Sequence, residues 1–281
     1  MDTRLRAFVA VADRRGFGRA AEDLRLTQPA LTKQIQALER ELGGVLFTRG
    51  RHGATLTEFG ARLIQQARAL VTATDDFTQR AQRLARGETG ELKVGFGLST
   101  IDLAPRAVAA FRRRYPDVEV SLEDLPSKTQ VERILSGQLH VGFVRLPADK
   151  VNQRVLRRDH LAVASTTTVP ADREWLGQQR LVRLARAKGP GLTAQIDQLC
   201  AAWHVQPGTL HETHDLQTVL ALVAAGTGPA LVPATAVGIA PKSVTFTDVD
   251  DPAAAWDVGV AWHPDQDTAL VENFLAVLGR R

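Results

Sequence analysis

The chain has 281 residues, 44% of them hydrophobic and 23% charged, with one cysteine and a net charge of +4. That length suits two or three domains rather than one. No apolar run is long enough to span a bilayer, and a lone cysteine excludes an internal disulfide, as in a reducing compartment. The charge is uneven: residues 1–90 hold fifteen Lys/Arg against ten Asp/Glu, whereas the remainder holds twenty against twenty-one. The basic surplus therefore lies wholly in the N-terminal third, where it would serve a polyanionic partner.

The opening MDTRLRAFVAVADRRGFG has no long apolar core and is not a leader peptide, so a cytoplasmic location is expected. Asp2 and Thr3 can cap a first helix with Leu5, Phe8, Val9 and Ala12 inside. Two short helices joined by a tight turn follow over Gly16–Leu42. Thr27 stands at an N-cap and Pro29 in the first turn of the second helix. Leu31, Ile35, Leu38 and Leu42 recur at i, i+4, i+7 and i+11, one helical face. Pro29, Lys33, Gln36 and Arg40 occupy the other face, with Gln28 and Thr32 near its start. A solvated surface helix has this pattern too, but Gln, Thr and Lys on the N-terminal half also suit a major-groove reader. Gly43-Gly44 ends the helix. Val45–Arg49 and Ala54–Thr57, around Gly50-Arg51-His52-Gly53, form a β-hairpin.

The segment TQPALTKQIQALERELGGVLFTRGRHGATLTEFG resembles the LysR-type transcriptional regulators. The resemblance is carried by Gln28-Pro29-Ala30, Gln34-Ile35, Leu38-Glu39, Leu42-Gly43, Leu46-Phe47, Arg49, Leu56-Thr57 and Gly60. It implies a winged helix-turn-helix over 1–60, with Thr27, Gln28, Pro29, Ala30, Thr32, Lys33 and Gln36 meeting DNA. Arg49, Arg51 and His52 then serve the wing, although the family usually has a basic residue where His52 stands. From Thr57 to Ala85, Leu63, Ala67, Leu70, Thr74, Phe77, Ala81 and Leu84 alternate at spacings of four and three, a heptad seam. A helix of about 28 residues would run roughly 42 Å, and its one-sidedness calls for a second copy. The resemblance makes this segment, 57–86, both domain linker and dimerisation helix, with a hinge at 87–90.

After the hinge the pattern changes to strands alternating with helices, which implies a parallel sheet with helices on both faces. Leu92–Phe96, Val118–Leu122 and Val141–Val144 are strands. A helix runs from the Gly97–Thr100 turn to Arg114, and another opens at Ser127. Leu161–Ala164, Leu210–Thr213, Ala230–Val232 and Val258–Trp262 are further strands. Leu192–Trp203, Leu216–Ala225 and Thr268–Leu278 are helices. GFGLSTIDLAPRAVAAFRRRYPDVEVSL, GQLHVGFVRLP and LVAAGTGPALVPA extend the resemblance over nearly the whole chain. It implies an α/β two-lobed effector domain over 91–281, like periplasmic binding proteins. Lobe I spans 91–160 and 266–281, and lobe II 161–265.

Ligands in open α/β sheets sit beyond the carboxyl ends of the strands. Ser99, Thr100, Ser127 and Arg145 stand there in lobe I, and Gln217 and Thr218 would face them from lobe II. Hydroxyls at helix starts and an arginine favour an anion. A plain N-cap explains any one hydroxyl taken alone, but three strand ends converging on one crevice favour a site at Ser99, Thr100 and Ser127; a surface ion pair explains Arg145, and a cap Thr218, as well as a site does. A small carboxylate is therefore the expected effector, and the resemblance is nearest to the branch of the family answering aromatic acids and their ring-cleavage products. Gly226-Thr227-Gly228 ends a helix and is no phosphate loop. His211 and His214 have no third ligand, so no metal is expected, and no cofactor. Cys200 lies where peroxide-sensing members keep a reactive cysteine, but with no resolving partner it reads as a helix residue facing the interior.

The leading reading is a regulator, not an enzyme, that binds an interrupted palindrome in double-stranded DNA. Its partners are itself, as homodimer and homotetramer, and RNA polymerase if it activates; no membrane is involved. A two-lobed solute-binding protein without a DNA role is the alternative. An enzyme on the same fold lacks a nucleophile–base pair or cofactor fingerprint.

Overall fold

A computed structural model describes residues 1–50, 53–265 and 268–279. Contacts divide the chain into two units, Met1–Ala85 and Arg86–Arg281.

In the first unit, α1 (Asp2–Arg14), α2 (Phe17–Asp23) and α3 (Gln28–Leu42) enclose a core of Phe8, Val11, Ala20, Leu31, Ile35 and Leu38. The inner face of α1 is Ala7, Phe8 and Val11; the expected Leu5, Val9 and Ala12 are only partly buried. Leu42 is also at the surface, because α3 stops one residue later at Gly43 in the left-handed conformation. β1 (Phe47–Gly50) and β2 (Gly53–Leu56) pair antiparallel, and Phe47 meets the rings of Phe8 and Phe17 edge-on. The backbone requires glycine at Gly53, where φ is +108° and a Cβ would lie 2.3 Å from the Arg15 carbonyl oxygen.

α4 (Glu58–Ala85) is a single 28-residue helix. Its first turns are not a free seam. Leu63 and Ala67 turn into the unit's own core with Ile64, and the Arg6 guanidinium of α1 grips Asp75 at 2.5 and 3.1 Å. Leu70, Phe77 and Leu84 are exposed on this chain, as is Ala81. The Thr74 hydroxyl is bonded to the Leu70 carbonyl at 2.8 Å.

The second unit is built on β3 (Gly90–Phe96), β4 (Val118–Asp124), β5 (Val141–Leu146) and β6 (Asn152–Ser165). α5 (Leu103–Arg114) and α6 (Ser127–Leu135) lie between the first three strands in sequence. α7 (Arg173–Gly177), β7 (Arg180–Leu184), α8 (Pro190–Trp203), β8 (Gly208–Thr213), α9 (Leu216–Ala224) and β9 (Ala230–Pro233) follow. β10 (Thr245–Asp248), β11 (Ala255–Trp262) and α10 (Ala269–Val277) complete the unit.

The main sheet runs β10-β6-β11-β5-β3-β4, with β9 also on β6. Only β3–β4 and β3–β5 are parallel in it, and β5–β11, β11–β6, β6–β9 and β6–β10 are antiparallel. The expected all-parallel sheet is thus a mixed one. The reason is β6, which runs unbroken for 14 residues through the lobe boundary expected at 160/161 and serves both lobes. β11 is already back among lobe I strands at Val260, before the return expected at 266. One core gathers Leu92, Val94, Phe111, Phe143, Val260 and Phe274; the other gathers Leu161, Leu181, Leu220, Leu231 and Trp256. Phe274 of α10 meets Phe111 and Phe143 edge-on, so the last helix belongs to lobe I.

The segment read as a hinge is partly fixed. Gly87 is buried at φ +64°, and a Cβ there would lie 2.5 Å from the Leu270 backbone nitrogen. The Asn273 amide donates to the carbonyls of Arg86 at 2.8 Å and Gly87 at 3.3 Å.

Candidate functional site

Two surfaces follow from this frame, one on each unit. On the first, Leu31, Ile35 and Leu38 hold α3 to the core, and the turn length fixes what faces outward. Thr27, Gln28, Pro29, Lys33 and Gln36 are exposed; Ala30 and Thr32 are half-buried. The Thr27 hydroxyl accepts from the Ala30 N–H at 3.4 Å, as an N-cap does. Arg40, on the same face, donates to the Gln36 carbonyl of its own helix. Lys33 has no ion pair among the described residues. In the wing, the Arg49 backbone pairs with Ala54. The Arg49 side chain, Arg51 and His52 lie outside the described residues.

On the second unit, a cavity of about 510 Å³ opens where strands β3, β4 and β5 end. Leu98–Thr100, Asp124–Lys128 and Phe143–Arg145 line it from lobe I, and Ala187–Leu192 from lobe II. Ser99 and Thr100 are not at an α-helix start. They form a short 3-10 turn, and α5 begins only at Leu103. The Thr100 hydroxyl is spent within that turn, accepting from the Gly97 N–H and donating to the Gly97 carbonyl. The Ser127 hydroxyl accepts from the Arg145 N–H at 3.1 Å, tying α6 to β5.

Arg145 organises the site. Its guanidinium lies 3.8 Å from the centroid of the Trp256 ring. It donates to the Gly191 carbonyl at 2.8 Å, across the cleft, and to the Ser99 hydroxyl at 3.3 Å. Burial pushes its pKa down to about 10, against the pull of Asp159, so it stays cationic at neutral pH. Behind Ser99, Arg157 donates to the Ser99 carbonyl at 2.7 Å and to both oxygens of Asp102 at 2.7 and 2.9 Å. Burial works against the Asp102 carboxylate, but the Arg157 contacts outweigh it and hold its pKa below the ordinary value. Lys128 and Lys188 add two cations to the cavity wall, against one carboxylate among the described residues, Asp124, whose pKa desolvation raises.

The structure brings Ser99, Thr100, Ser127 and Arg145 together but not Gln217 or Thr218. The Thr218 hydroxyl and N–H both bond to Asp215, the cap of α9, at 2.7 Å. Neither residue lines the cavity. Lobe II instead presents the start of α8. The sequence places this helix from Leu192, two residues late, and does not mark its start as a cavity wall, because the strand before it, β7 (Arg-Leu-Val-Arg-Leu), has no buried-strand pattern; Gly189-Pro190-Gly191, with Pro in the first turn, is the available signal. Trp256 was also missed, since nothing in its spacing announces a stacked arginine. Cys200 is half-buried against the lobe II core, and burial raises its thiol. Among the described residues no cluster of metal-ligating side chains forms.

Residues 3–61 match the family model of the bacterial regulatory helix-turn-helix protein, lysR family, and residues 85–281 match the LysR substrate binding domain. The HTH-type transcriptional regulator IlvR of Caulobacter vibrioides is 33% identical over 290 residues, spanning 99% of this chain and 97% of its own. The crystal structure of CbnR, a LysR family transcriptional regulator, superimposes with a TM-score of 0.81 at 26% identity, over 99% of each chain. Full-length CbnR complexed with its target DNA gives 0.77 at 25% identity, over 99% of this chain and 98% of that one.

Proposed function

This chain belongs to the LysR family of bacterial helix-turn-helix regulators, and from that premise we propose how its own residues divide the work. It is a DNA-binding transcription regulator with an effector-binding domain, not an enzyme, which disposes of the solute-binding alternative. Residues 1–60 form the DNA-binding domain, 57–86 the linker helix and 91–281 the effector domain. α3 enters the major groove, with Gln28, Thr32 and Lys33 at base edges and phosphates and Thr27, Pro29, Ala30 and Gln36 alongside. Arg49, Arg51 and His52 reach the backbone from the wing. Two copies paired through α4 then read an interrupted palindrome, and two such pairs form a tetramer. An activator of this kind also meets RNA polymerase. A regulator of this class works where bacterial DNA is held, in the cytoplasm.

The effector is a small organic anion, most simply a carboxylate. The observation that carries this is Arg145: a largely desolvated guanidinium over the Trp256 ring whose Nη donors, among the described residues, reach only a backbone carbonyl and a hydroxyl. A carboxylate is a stronger acceptor than either, and its hydrogen bonds to a guanidinium contribute about 1.5–3 kcal/mol. Gel shift with the DNA upstream of its own gene tests the first half. A thermal-shift series of small mono- and dicarboxylates, beginning with benzoate, tests the second. A true effector at a hundred times its Kd stabilises by about 2.7 kcal/mol. A series in which no carboxylate raised the Tm of the wild type more than that of Arg145→Ala would sink the anion reading.

A further inference from the structure

We infer that Gln130 is a positioning residue of the effector cavity, an amide key that locks three strand ends into the geometry that receives the anion. This rests on the anion reading of that cavity. Gln130 stands in the second turn of α6 and is 0% exposed. Its Nε2 reaches back to the Leu125 carbonyl at 2.7 Å, while its own N–H bonds to the Pro126 carbonyl at 3.0 Å. The β4–α6 turn that forms one cavity wall is therefore held from both the backbone and the side chain of one residue. Leu125 in turn donates to the Phe96 carbonyl at the end of β3.

The other end of the amide explains two glycines. Gly95 of β3 and Gly142 of β5 are direct partners in the parallel ladder. A Cβ on Gly95 would lie 2.8 Å from Leu139 Cδ2 and 2.9 Å from Gln130 Oε1, and one on Gly142 would lie 2.8 Å from Gln130 Oε1 and 3.0 Å from Ile134 Cδ1. Two facing glycines thus open a slot in the sheet that the amide fills together with Leu139 and Ile134. Each glycine inside a strand is unfavourable relative to alanine, because it loses more backbone freedom on folding and offers no side chain to pack. Among the described residues Oε1 is also buried without a hydrogen-bond partner, a further cost that an apolar residue would avoid. A residue chosen for packing alone would be leucine over alanines. The amide contributes something else: it fixes the β4 turn against β3 and β5, whose ends carry Ser99 and Arg145. Ser127, three residues before Gln130, then meets the Arg145 N–H.

The test uses the full chain and two variants that reach the key from opposite sides. Gln130→Met keeps the volume and removes the donor; Gly142→Ala fills the slot and displaces the amide. Hydrogen exchange is read at the Arg145 amide, and benzoate affinity by calorimetry. Both variants are expected to speed Arg145 exchange about tenfold, the worth of one buried hydrogen bond, and to weaken benzoate by a similar factor. Exchange at the lobe II strands β7 and β8 should stay as in the wild type. Arg145 exchange and benzoate affinity within twofold of wild type would overturn the proposal. So would exchange that rises equally over the whole second unit, which marks a general packing residue. If the wild type itself does not bind benzoate, that counts against the anion reading, and the exchange result still decides Gln130.

Discussion

Arg145 is buried at a cost, as its lowered pKa records, and an anion returns part of the solvation it lost. Replacing it by alanine is expected to weaken effector binding by at least tenfold, and Ser99→Ala by several-fold, since the hydroxyl holds one end of the guanidinium. Operator affinity should be unchanged, and calorimetry beside a gel shift measures both. Arg145→Lys should not rescue, because an ammonium cannot hold both Gly191 and Ser99 while keeping its charge over the Trp256 ring. Asp102 makes a prediction about pH. Its folded pKa lies below the unfolded one, so its contribution to stability is present above the unfolded value and is lost as pH falls through the folded value. Asp102→Asn should therefore destabilise the second unit at neutral pH, with the deficit closing only in acid below the ordinary carboxylate range. The pair keeps 24% and 31% of its side-chain surface in water, so the deficit should be of order 1 kcal/mol rather than the several of a fully buried pair. Thermal melts of both proteins from pH 7 to pH 3 check it.

The helix α4 has two halves with different partners. Leu63, Ile64 and Ala67 pack into the core of the first unit, whereas Leu70, Phe77 and Leu84 are exposed among the described residues of this chain. Phe77→Glu should therefore dissociate the assembly without unfolding the monomer, whereas Ala67→Glu should unfold the first unit. Sedimentation and circular dichroism of the two variants separate these outcomes; an intact assembly in Phe77→Glu would refute the pairing. The clamp on Gly87 is a second matter of elements. Alanine there meets left-handed backbone and the α10 chain at 2.5 Å, so Gly87→Ala should lower stability by more than about 1–2 kcal/mol. Periodicity made α3 and α4 legible, since 3.6-residue spacing is written in single elements. It could not show that Leu63 and Ala67 face inward, because a seam of constant spacing does not say which partner covers it. The strand ends near Ser99, Ser127 and Arg145 were legible because β3 and β4 alternate apolar residues before a turn, and β5 opens as a continuous apolar run up to Arg145. The lobe II wall was not. Its strand β7 carries two arginines in five residues, and more than half of the 14-residue β6 is polar, so neither resembles a buried parallel strand. The glycine slot under Gln130 was equally hidden, since facing residues on two strands are 47 positions apart in the chain.

At the scale of the whole molecule, charge and symmetry act together. The net positive charge of the first ninety residues is +5 and the rest is near neutral, so the salt dependence of DNA binding should come from the first unit alone. Each phosphate contact contributes about 0.9 to the slope of log K against log salt. A paired molecule presents every contact twice, so one substitution in the sequence removes two. Lys33 is exposed on α3 and without an ion pair among the described residues. If it meets a phosphate, Lys33→Ala should lower the slope by about 1.8 on a full palindrome and by about 0.9 on a single half-site bound by one copy. Effector binding should shift the intercept of the same plot without altering its slope, because the anion acts in the neutral unit and only redistributes paired arrangements. The shift is limited to the difference in its affinity for them. Filter binding from about 50 to 200 mM salt, on whole and half operators with and without the effector, measures all three. A Lys33→Ala slope change equal on both operators would mean that one copy, not two, grips the DNA.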